Sequence, residues 1–396
     1  MAQKVTSVAI IGGGIGGLTA AISLLRAGFD VRVYEQARWL SEVGAGTNVG
    51  PNASRLLIRL GLGDELAKVA WRPQLFHQRR WDDGRTLSRS PLGDAVEAEF
   101  DAPHYIFHRG DLHAVLAKAV PAERVHLSYR CTAVADRGAR VEAQFDNGAE
   151  IAADVLIGAD GIHSTIRHAL LGPERPRFTG CIAYRGLIPA ERVADLPDEL
   201  TGWLGPGRHF VHYFVSARRL LNFVGLVEQD AWVRESWTEP GEVADLLAAY
   251  QGWHPQVLRI IGAADETFKW ALLDRKPLPR WSFGRITLLG DACHPMLPFM
   301  GQGGAQAIED AAAITACLLR HGDDAAAALK LYETVRLPRA SRLQTMSTDN
   351  KARFHLPDGP AQQARDAEMA KGTTDWSFRA IAWLYGHDAS VLPAAA

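Results

Sequence analysis

Two histidines and a tyrosine within one short aromatic segment, His209-Phe-Val-His-Tyr213, have side chains suited to acid–base chemistry near neutral pH. The composition of this segment favours a strand, in which side chains alternate between the two faces of a sheet. His209 and Tyr213 then share one face, and His212 lies on the other. Because a ligand meets only one face, either His209 with Tyr213 or His212 is a candidate for this chemistry. A histidine packed into the sheet is the competing interpretation.

A glycine cluster near the N-terminus has the spacing of a dinucleotide-binding turn. Gly12, Gly14 and Gly17 match the pattern GxGxxG between a β-branched apolar segment and a helical one. In this pattern the first glycine makes the turn, the second admits a pyrophosphate and the third lets the helix pack on the strand. Glu35 ends the next predicted strand, about 20 residues further on, where a carboxylate accepts hydrogen bonds from a ribose. The motif predicts a dinucleotide without distinguishing FAD from NAD.

Short apolar and alternating segments predict the elements that position these residues. Segments 5–11, 31–34, 155–160 and 286–291 are typical of buried parallel strands. Segments 76–81, 182–188 and 209–215 alternate in character and favour an antiparallel second sheet. The predicted fold is therefore α/β, with a Rossmann-like dinucleotide-binding domain, an interleaved antiparallel-sheet substrate domain and C-terminal helices. The predicted bounds are 1–70, 101–178 and 280–345 for the first domain, 71–100 and 179–279 for the second, and 346–396 for the C-terminal helical segment.

Composition and charge restrict the class of partner. The chain has 47% hydrophobic and 22% charged residues and a net charge of -2, which is typical of a globular protein without a strong field for nucleic acid or an anionic membrane. The longest apolar stretch, Val8 to Leu25, is interrupted by glycines and lacks a secretory cleavage pattern. We therefore expect a small-molecule partner and no membrane association.

Cysteine and histidine spacings give no sign of a disulfide framework or a metal site. The four cysteines are far apart and lack CxxC spacing, which predicts reduced thiols and a cytoplasmic location. His104 and His108 lie in an apparent strand, where a spacing of four does not bring two ligands together as it would on a helix. We expect no bound metal.

Two downstream signatures resemble those of the FAD-dependent single-component aromatic hydroxylases. The first is Gly158-Ala-Asp-Gly161, and the second is Leu289-Gly-Asp291-Ala-Cys-His-Pro295, followed by Gly301-Gln-Gly-Gly304. With them the resemblance covers nearly the whole chain, and it implies the aromatic hydroxylase fold with FAD as cofactor. It further implies that Asp160 serves the FAD pyrophosphate and the passing pyridine nucleotide, and that Asp291 contacts the ribityl chain of the flavin.

Further segments carry the same resemblance. Arg109 lies in Phe107-His-Arg109-Gly-Asp-Leu112, which matches a helix start whose arginine reaches FAD. Segments 44–52 and 295–302 are similar to the flavin-edge loops of salicylate, 3-hydroxybenzoate and 6-hydroxynicotinate hydroxylases. The helix expected from Ala305 would present backbone N–H groups to developing negative charge, and His294 is expected to support the architecture of this loop. The cofactor contacts that follow are Gly46, Gln302, Gly303 and Gly304.

The resemblance also implies a reaction. A second GxGxxG is absent from the sequence, so NAD(P)H, with NADH favoured, would bind transiently to reduce the flavin. Oxygen would then give a C4a-hydroperoxide whose distal oxygen attacks an electron-rich ring, as in the family. Such a ring needs a base near its hydroxyl. The segment Gly205-Pro-Gly-Arg-His209 resembles that of the salicylate and hydroxybenzoate branch, which implies His209 with Tyr213 as the catalytic pair and leaves His212 as the reserve candidate. The partners are therefore a small aromatic substrate, O2 and NAD(P)H, for a monomer or homodimer.

Several alternatives stay open at this stage. A salicylate-like hydroxy acid is favoured, with decarboxylation to a catechol as an option, and 3-hydroxybenzoate 6-hydroxylation and 6-hydroxynicotinate 3-hydroxylation are the alternatives. Asn48 and Phe299 stand where the resemblance to the pyridine hydroxylase would place histidines, which favours a benzenoid ring. Arg80, Arg185 and Arg208 are unranked candidates for the substrate carboxylate. Rival classes are another flavin chemistry on the same fold and a non-catalytic flavin-binding redox sensor.

Overall fold

The computed structural model describes residues 5–40, 46–229, 239–372 and 377–394. Within them the strands are β1 (Ser7–Ile11), β2 (Asp30–Glu35), β3 (Gly46–Val49), β4 (Leu75–Arg80), β5 (Thr86–Pro91), β6 (Tyr105–His108), β7 (Val125–Leu127), β8 (Cys131–Asp136), β9 (Val141–Phe145), β10 (Glu150–Ala153), β11 (Val155–Gly158), β12 (Arg177–Pro189), β13 (Glu199–Gly205), β14 (Arg208–Val215), β15 (Leu220–Glu228), β16 (Glu239–Gly241), β17 (Thr267–Asp274), β18 (Ser282–Phe283) and β19 (Ile286–Leu288). The helices are α1 (Ile15–Arg26), α2 (Pro51–Arg59), α3 (Gly63–Val69), α4 (Gly93–Phe100), α5 (Arg109–Ala119), α6 (Thr165–Leu171), α7 (Val243–Ala249), α8 (Pro255–Gly262), α9 (Gly303–Arg320), α10 (Ala325–Phe354), α11 (Pro360–Met369) and α12 (Phe378–Tyr385).

A six-stranded, mostly parallel sheet forms the core of the first unit. Its strand order is β18-β19-β11-β1-β2-β7, and β1 pairs in parallel with both β11 and β2. The apolar residues Val8 to Ile11 of β1 are all buried, as a strand covered by helices on both faces must be. Helices α1 and α9 pack against each other beside this sheet. The Rossmann-like unit expected from the sequence is present.

An eight-stranded sheet forms the second unit, in the order β16-β17-β12-β15-β14-β13-β4-β5. Its pairs are antiparallel except for β13 and β4, which run parallel. The segments predicted from alternation are β4, β12 and β14, so the antiparallel second sheet is confirmed. The parallel pair is a feature that alternation within one strand does not reveal, because alternation reports faces and not direction.

The chain enters the large sheet twice and returns to the parallel sheet after each excursion. Strands β4 and β5 form the first excursion, and β12 to β17 form the second. This order supports the domain division that we propose from the sequence. Two details differ: α4 is a helix within residues 71–100, which we assigned to the antiparallel-sheet domain, and α10 continues across residue 345. We therefore propose that the C-terminal segment starts after α10.

The apolar stretch from Val8 to Leu25 consists of β1, the glycine turn and most of α1. Across the described ranges, no helix has both the length and the apolar character needed to cross a bilayer. The four cysteines are buried free thiols.

A buried cluster of charges joins α9 to α10. Arg336 of α10 is 1% exposed, and its Nε donates to Asp310 at 2.8 Å while Nη1 donates to Glu309. Arg339 donates to both oxygens of Glu309, at 2.7 and 2.8 Å. Burial alone raises the pKa of each carboxyl, but the neighbouring cations outweigh it and hold the pKa of Glu309 and of Asp310 at about 2. Two positive charges therefore compensate two fully buried negative charges, and Arg339 alone of the four is partly exposed.

Replacing Arg336 by methionine should lower the free energy of unfolding by about 3–5 kcal/mol, because two buried carboxylates lose their shared cation. Urea unfolding followed by circular dichroism measures this loss. Arg342→Met is the matched control, since Arg342 lies on the same helix, is exposed and stacks over Trp383. The control should lose less than about 1 kcal/mol. Equal losses in the two variants would contradict a stabilising role for the cluster.

Candidate active site

A cavity of about 630 Å³ lies between the two sheets. The ends of β1 and β2 and the loops after β11 and β19 form one wall, where the carboxyl ends of parallel strands meet. One face of β12, β14 and β15 forms the opposite wall. The sequence-predicted residues that line it are Gly12, Gly14, Glu35, Gly46, Arg109, Asp160, His209, Tyr213, Asp291, Gln302, Gly303 and Gly304.

The glycine turn after β1 is as tight as its motif requires. Gly12 has a φ of +109°, and a Cβ at this position would lie 2.3 Å from the carbonyl oxygen of Ala159. A Cβ at Gly17 would lie 2.0 Å from the carbonyl oxygen of Gly12, so α1 can pack on the strand only if this residue is glycine. Gly14 caps the N-terminus of α1 and opens onto the cavity. A positive helix end therefore faces the space where a pyrophosphate is expected.

Glu35 shapes this turn as well as lining the cavity. Its carboxylate accepts hydrogen bonds from the backbone N–H groups of Gly13, at 2.7 Å, and Ala37, at 2.8 Å. His113 of α5 holds the turn from the other side, with Nε2 2.8 Å from the carbonyl oxygen of Gly13. Sequence reasoning did not find His113, because it lies 100 residues from the glycine and belongs to no motif. The contact of Glu35 with a ribose stays a prediction.

Asp160 lies at the cavity wall, but its carboxylate also caps α6. Ser164 Oγ donates to Oδ1 at 2.5 Å and the Ile166 N–H donates to Oδ2 at 3.1 Å, while Ser164 Oγ accepts from the N–H of Arg167. Burial raises the pKa of Asp160, and the hydrogen bonds oppose this shift. Part of this signature therefore serves the helix that starts beside the cavity.

The N-terminus of α9 points into the cavity beside Asp291. The helix starts at Gly303, two residues before the expected position, so Gly303 and Gly304 are its first residues. The Gln302 side chain is turned into the protein, where its Oε1 accepts from Asn52 at 3.1 Å and from Gln306 at 3.3 Å. Asn52 also donates to a buried carboxylate, that of Glu309, at 2.6 Å. The loop is thus anchored to the charge cluster of α9 and α10.

His294 supports this loop. Its Nε2 lies 2.6 Å from Oδ2 of Asp310, and the same oxygen accepts from the Gly290 N–H at 3.0 Å. Cys293, His294 and Asp310 are close enough together to be considered as metal ligands. Both oxygens of Asp310 already have partners, however, because Arg336 binds Oδ1. His294 and Arg336 therefore share Asp310 as a hydrogen-bonding partner.

Gly46 makes room for Tyr213. A Cβ on Gly46 would lie 2.1 Å from the tyrosine ring, and the Gly46 N–H donates to Asn222 Oδ1 at 3.0 Å. Gly44 and Ala45, the first residues of the expected flavin-edge loop, lie outside the described residues. Within the described part of that loop, the backbone of β3 packs directly against Tyr213, which we predict to be catalytic.

The strand β14 places His209 and Tyr213 at the cavity and turns His212 away from it. His209 is 3% exposed, and its Nδ1 lies 2.7 Å from Nε2 of His355, a residue that the sequence did not bring to notice. His355 Nδ1 in turn lies 2.9 Å from Glu228 Oε1. Burial lowers the pKa of His209 well below its usual value, and lowers that of His355 to about 4. Both imidazoles are therefore neutral at pH 7.

Arg185 of β12 adds a cation to the same wall. Burial lowers its pKa to about 10, and burial raises the pKa of Tyr213 to about 12 while Arg185 opposes that shift. The cavity thus combines a dinucleotide-binding wall with a wall that carries a neutral base, a hydroxyl and a cation. The glycine turn, the acidic residues and the α9 N-terminus fit the phosphates and ribityl chain of FAD.

Comparisons with known proteins agree with this geometry. The FAD binding domain model matches residues 5–347. The chain is 42% identical over 387 residues to 3-amino-4-hydroxybenzoate 2-monooxygenase PtmB3 of Streptomyces platensis, covering 97% of this chain and 96% of that protein. It is 43% identical over 348 residues to 6-hydroxynicotinate 3-monooxygenase of Bordetella bronchiseptica, covering 87% and 91%. The structure of Klebsiella pneumoniae HpxO complexed with FAD and uric acid matches with a TM-score of 0.84 and 29% identity, covering 92% and 93%.

This chain belongs to the family of FAD-dependent aromatic hydroxylases. It is a flavoprotein monooxygenase, and FAD is its cofactor. The relatives are enzymes, so the sensor interpretation left open by the sequence is no longer favoured.

Glu35→Ala should reduce FAD retention, because the Gly13 N–H loses its partner in the turn and the ribose would lose its predicted acceptor. The ratio of flavin absorbance near 450 nm to protein absorbance, measured after gel filtration, reports occupancy. Glu65→Ala is the control, since the half-exposed side chain of Glu65 pairs with the surface lysines Lys68 and Lys118. Full occupancy in the Glu35 variant would contradict the assignment of this wall to the dinucleotide.

Proposed function

We propose that this hydroxylase acts on a benzenoid ring that carries both a hydroxyl and a carboxylate group. The observation that carries the proposal is the wall of the cavity on which Arg185, His209 and Tyr213 lie together. A cation suits a carboxylate, and a neutral histidine suits a phenolic hydroxyl. The two relatives act, by their names, on 3-amino-4-hydroxybenzoate and 6-hydroxynicotinate, which both carry these two groups.

Arg185 is the cation that we assign to the carboxylate. Its guanidinium lies 4.0 Å from the ring centre of Trp270, and its buried Nε–H has no hydrogen-bond partner among the described residues. A buried donor without a partner is costly, and a carboxylate in the cavity would satisfy it. The other two candidates do not line the cavity: Arg80 pairs with Asp358, and Arg208 donates to a backbone carbonyl.

Arg185→Met should weaken binding of 3-amino-4-hydroxybenzoate by roughly 1.5–3 kcal/mol, the usual contribution of a hydrogen bond to a charged group. Quenching of flavin fluorescence gives the dissociation constant, and the flavin content checks that FAD is retained. The matched control changes the ligand instead of the protein: the neutral 3-amino-4-hydroxybenzamide should bind wild type and the variant with the same dissociation constant. An equal loss for the acid and the amide would contradict a carboxylate contact.

The bound flavin, once reduced, supplies the chemistry that activates O2 for insertion into the ring. The residues proposed to hold it are Glu35, Arg109, Asp160, Asp291 and the glycines of the two loops. NADH is the proposed reductant, and because the sequence has a single dinucleotide motif it would bind transiently. The cytoplasm is the proposed location, because NADH is available there and thiols stay reduced.

His209 is the proposed general base. Its Nδ1 is engaged by His355, so Nε2 is the ring nitrogen that can meet a ligand in the cavity. Removal of the phenolic proton raises the electron density of the ring, which attack on an electrophilic oxygen requires. Tyr213 stays protonated because burial raises its pKa, so it can donate a hydrogen bond to the substrate and orient it. Arg185 stabilises the resulting dianion.

His209→Ala should keep FAD and bind the aromatic acid, but hydroxylation should fall by roughly 10²–10⁴ as base assistance is lost. NADH consumption should continue with release of hydrogen peroxide, so the ratio of product to NADH consumed is the quantity to measure. Raising the pH toward the phenol's own pKa of about 10 should partly restore product. His212→Ala, on the opposite face of the strand, is the control. A fully coupled His209 variant at neutral pH would exclude this base.

The preference for a benzenoid ring over a pyridine ring depends on where Asn48 and Phe299 lie. Asn48 lines the cavity, whereas Phe299 packs behind His209 with ring centres 5.1 Å apart. Of the two positions that favour a benzenoid over a pyridine substrate, only Asn48 can therefore meet the ring.

Turnover of an equimolar mixture of 3-amino-4-hydroxybenzoate, 3-hydroxybenzoate, salicylate and 6-hydroxynicotinate, with products identified by mass spectrometry, ranks these substrates. Release of carbon dioxide from salicylate would mark the decarboxylating alternative.

A further inference from the structure

Three side chains run in hydrogen-bonding contact from the cavity to the protein surface. His209 lies at the cavity and is buried, His355 is buried behind it, and Glu228 at the end of β15 is 43% exposed. The two contacts measure 2.7 Å between the imidazoles and 2.9 Å between His355 and the carboxylate. We propose that His209, His355 and Glu228 form a proton relay that carries the hydroxyl proton of the bound aromatic substrate to solvent. This inference rests on the proposed function of His209.

The backbone holds the three residues in register. β14 and β15 pair so that His209 lies opposite Leu226, two residues before Glu228. The Gly207 N–H donates to the carbonyl oxygen of His355 at 3.0 Å, and the Glu228 N–H donates to the carbonyl oxygen of Gly207 at 2.9 Å. His355, which follows α10, is therefore fixed to the same turn as the other two residues.

The hydrogen bonds assign the tautomers. An ionised carboxylate can only accept, so His355 Nδ1 carries a proton and donates it to Glu228. In a neutral imidazole the second nitrogen is then an acceptor, so His355 Nε2 accepts from His209 Nδ1–H. His209 Nε2 is left with a free electron pair directed toward ligands in the cavity. The carboxylate at the surface thus fixes the basic form of the nitrogen that meets the substrate.

The residues around His209 explain why this histidine needs a path that passes the substrate proton on to solvent. Phe299 and Phe354 pack against the His209 ring with centres 5.1 and 5.6 Å away, so a histidinium held there would be poorly solvated. Among the described residues, the other ionisable groups near the three side chains include Lys351, 4.0 Å from the Glu228 carboxylate, Arg208, the Cys181 thiol and Tyr250, whose hydroxyl donates to the His209 carbonyl oxygen at 2.7 Å. The two cations disfavour positive charge on the imidazoles and favour its transfer outward.

The proposed step balances without a redox partner. The O–H bond of the substrate breaks as His209 Nε2–H forms, His209 Nδ1–H passes to His355 Nε2, and His355 Nδ1–H passes to Glu228. Water then takes the proton from the carboxylic acid. The products are a phenolate in the cavity and one proton in solvent. Return of a proton along the same chain to the hydroxylated product restores the starting tautomers.

Glu228→Gln separates a relay from an orienting contact. The amide oxygen can still accept from His355 and preserve the tautomers, but it cannot take up the proton. The enzyme with bound FAD, without oxygen or NADH, is mixed with 3-amino-4-hydroxybenzoate in weak buffer containing a pH indicator. Wild type should release protons together with the rise in phenolate absorbance. In the variant, the release should slow by roughly tenfold or more, with the dissociation constant and flavin spectrum unchanged.

Glu199→Gln is the matched control, since Glu199 binds His77 at 2.9 Å in the same sheet and neither residue lines the cavity. It should release protons at the wild-type rate. If Glu228→Gln is as fast as wild type while Glu228→Ala is slow, Glu228 only orients His355 and the relay is refuted. If wild type ionises the substrate and neither Glu228 variant slows it, the relay fails while the base assignment stands. If wild type binds none of the four aromatic acids, the proposed function itself fails.

Discussion

The compensation of charge between α9 and α10 is the constraint on which the site depends. Glu309 and Asp310 are adjacent on α9 and fully buried, which would be prohibitive without Arg336 and Arg339. Each carboxylate also accepts hydrogen bonds from residues that hold a cofactor loop. Asp310 binds the His294 side chain and the Gly290 backbone, and Glu309 binds Asn52, which holds Gln302. A single network thus positions the loop after β19 and the start of α9.

Helix α10 links this network to the substrate wall. Its first half carries the two arginines, and its last residue, Phe354, packs on His209 beside His355. One helix of 30 residues therefore contacts both the cofactor side and the base. This role could not be predicted from the sequence, because the helix has a weak apolar periodicity and its residues are typical of a polar C-terminal region.

Motif spacing and period-two alternation predicted the features that depend on residues close together in the sequence. The glycine turn, the strand before it and Glu35 follow from spacing, and period-two alternation correctly separated the faces of β14 that bear His209 and His212. Residues from distant parts of the chain could not be found in this way. His355 lies 146 positions from His209, and Glu228 lies 127 from His355, so no periodicity connects them. The preference for Arg185 over Arg80 and Arg208 likewise needed the positions of their partners.

The order in which the chain builds the parallel sheet has a consequence for biosynthesis. Strand β1 is synthesised well before its neighbour β11, which starts at residue 155, and β19 follows only at residue 286. Until then the nascent chain presents apolar strands with open edges, and contacts of such long sequence separation form slowly. Helix α9, which packs on α1, comes later still. The parallel sheet and its helices can therefore be completed only after α9 has been synthesised, and a chain that stops before α9 would leave the glycine turn beside an unfinished core.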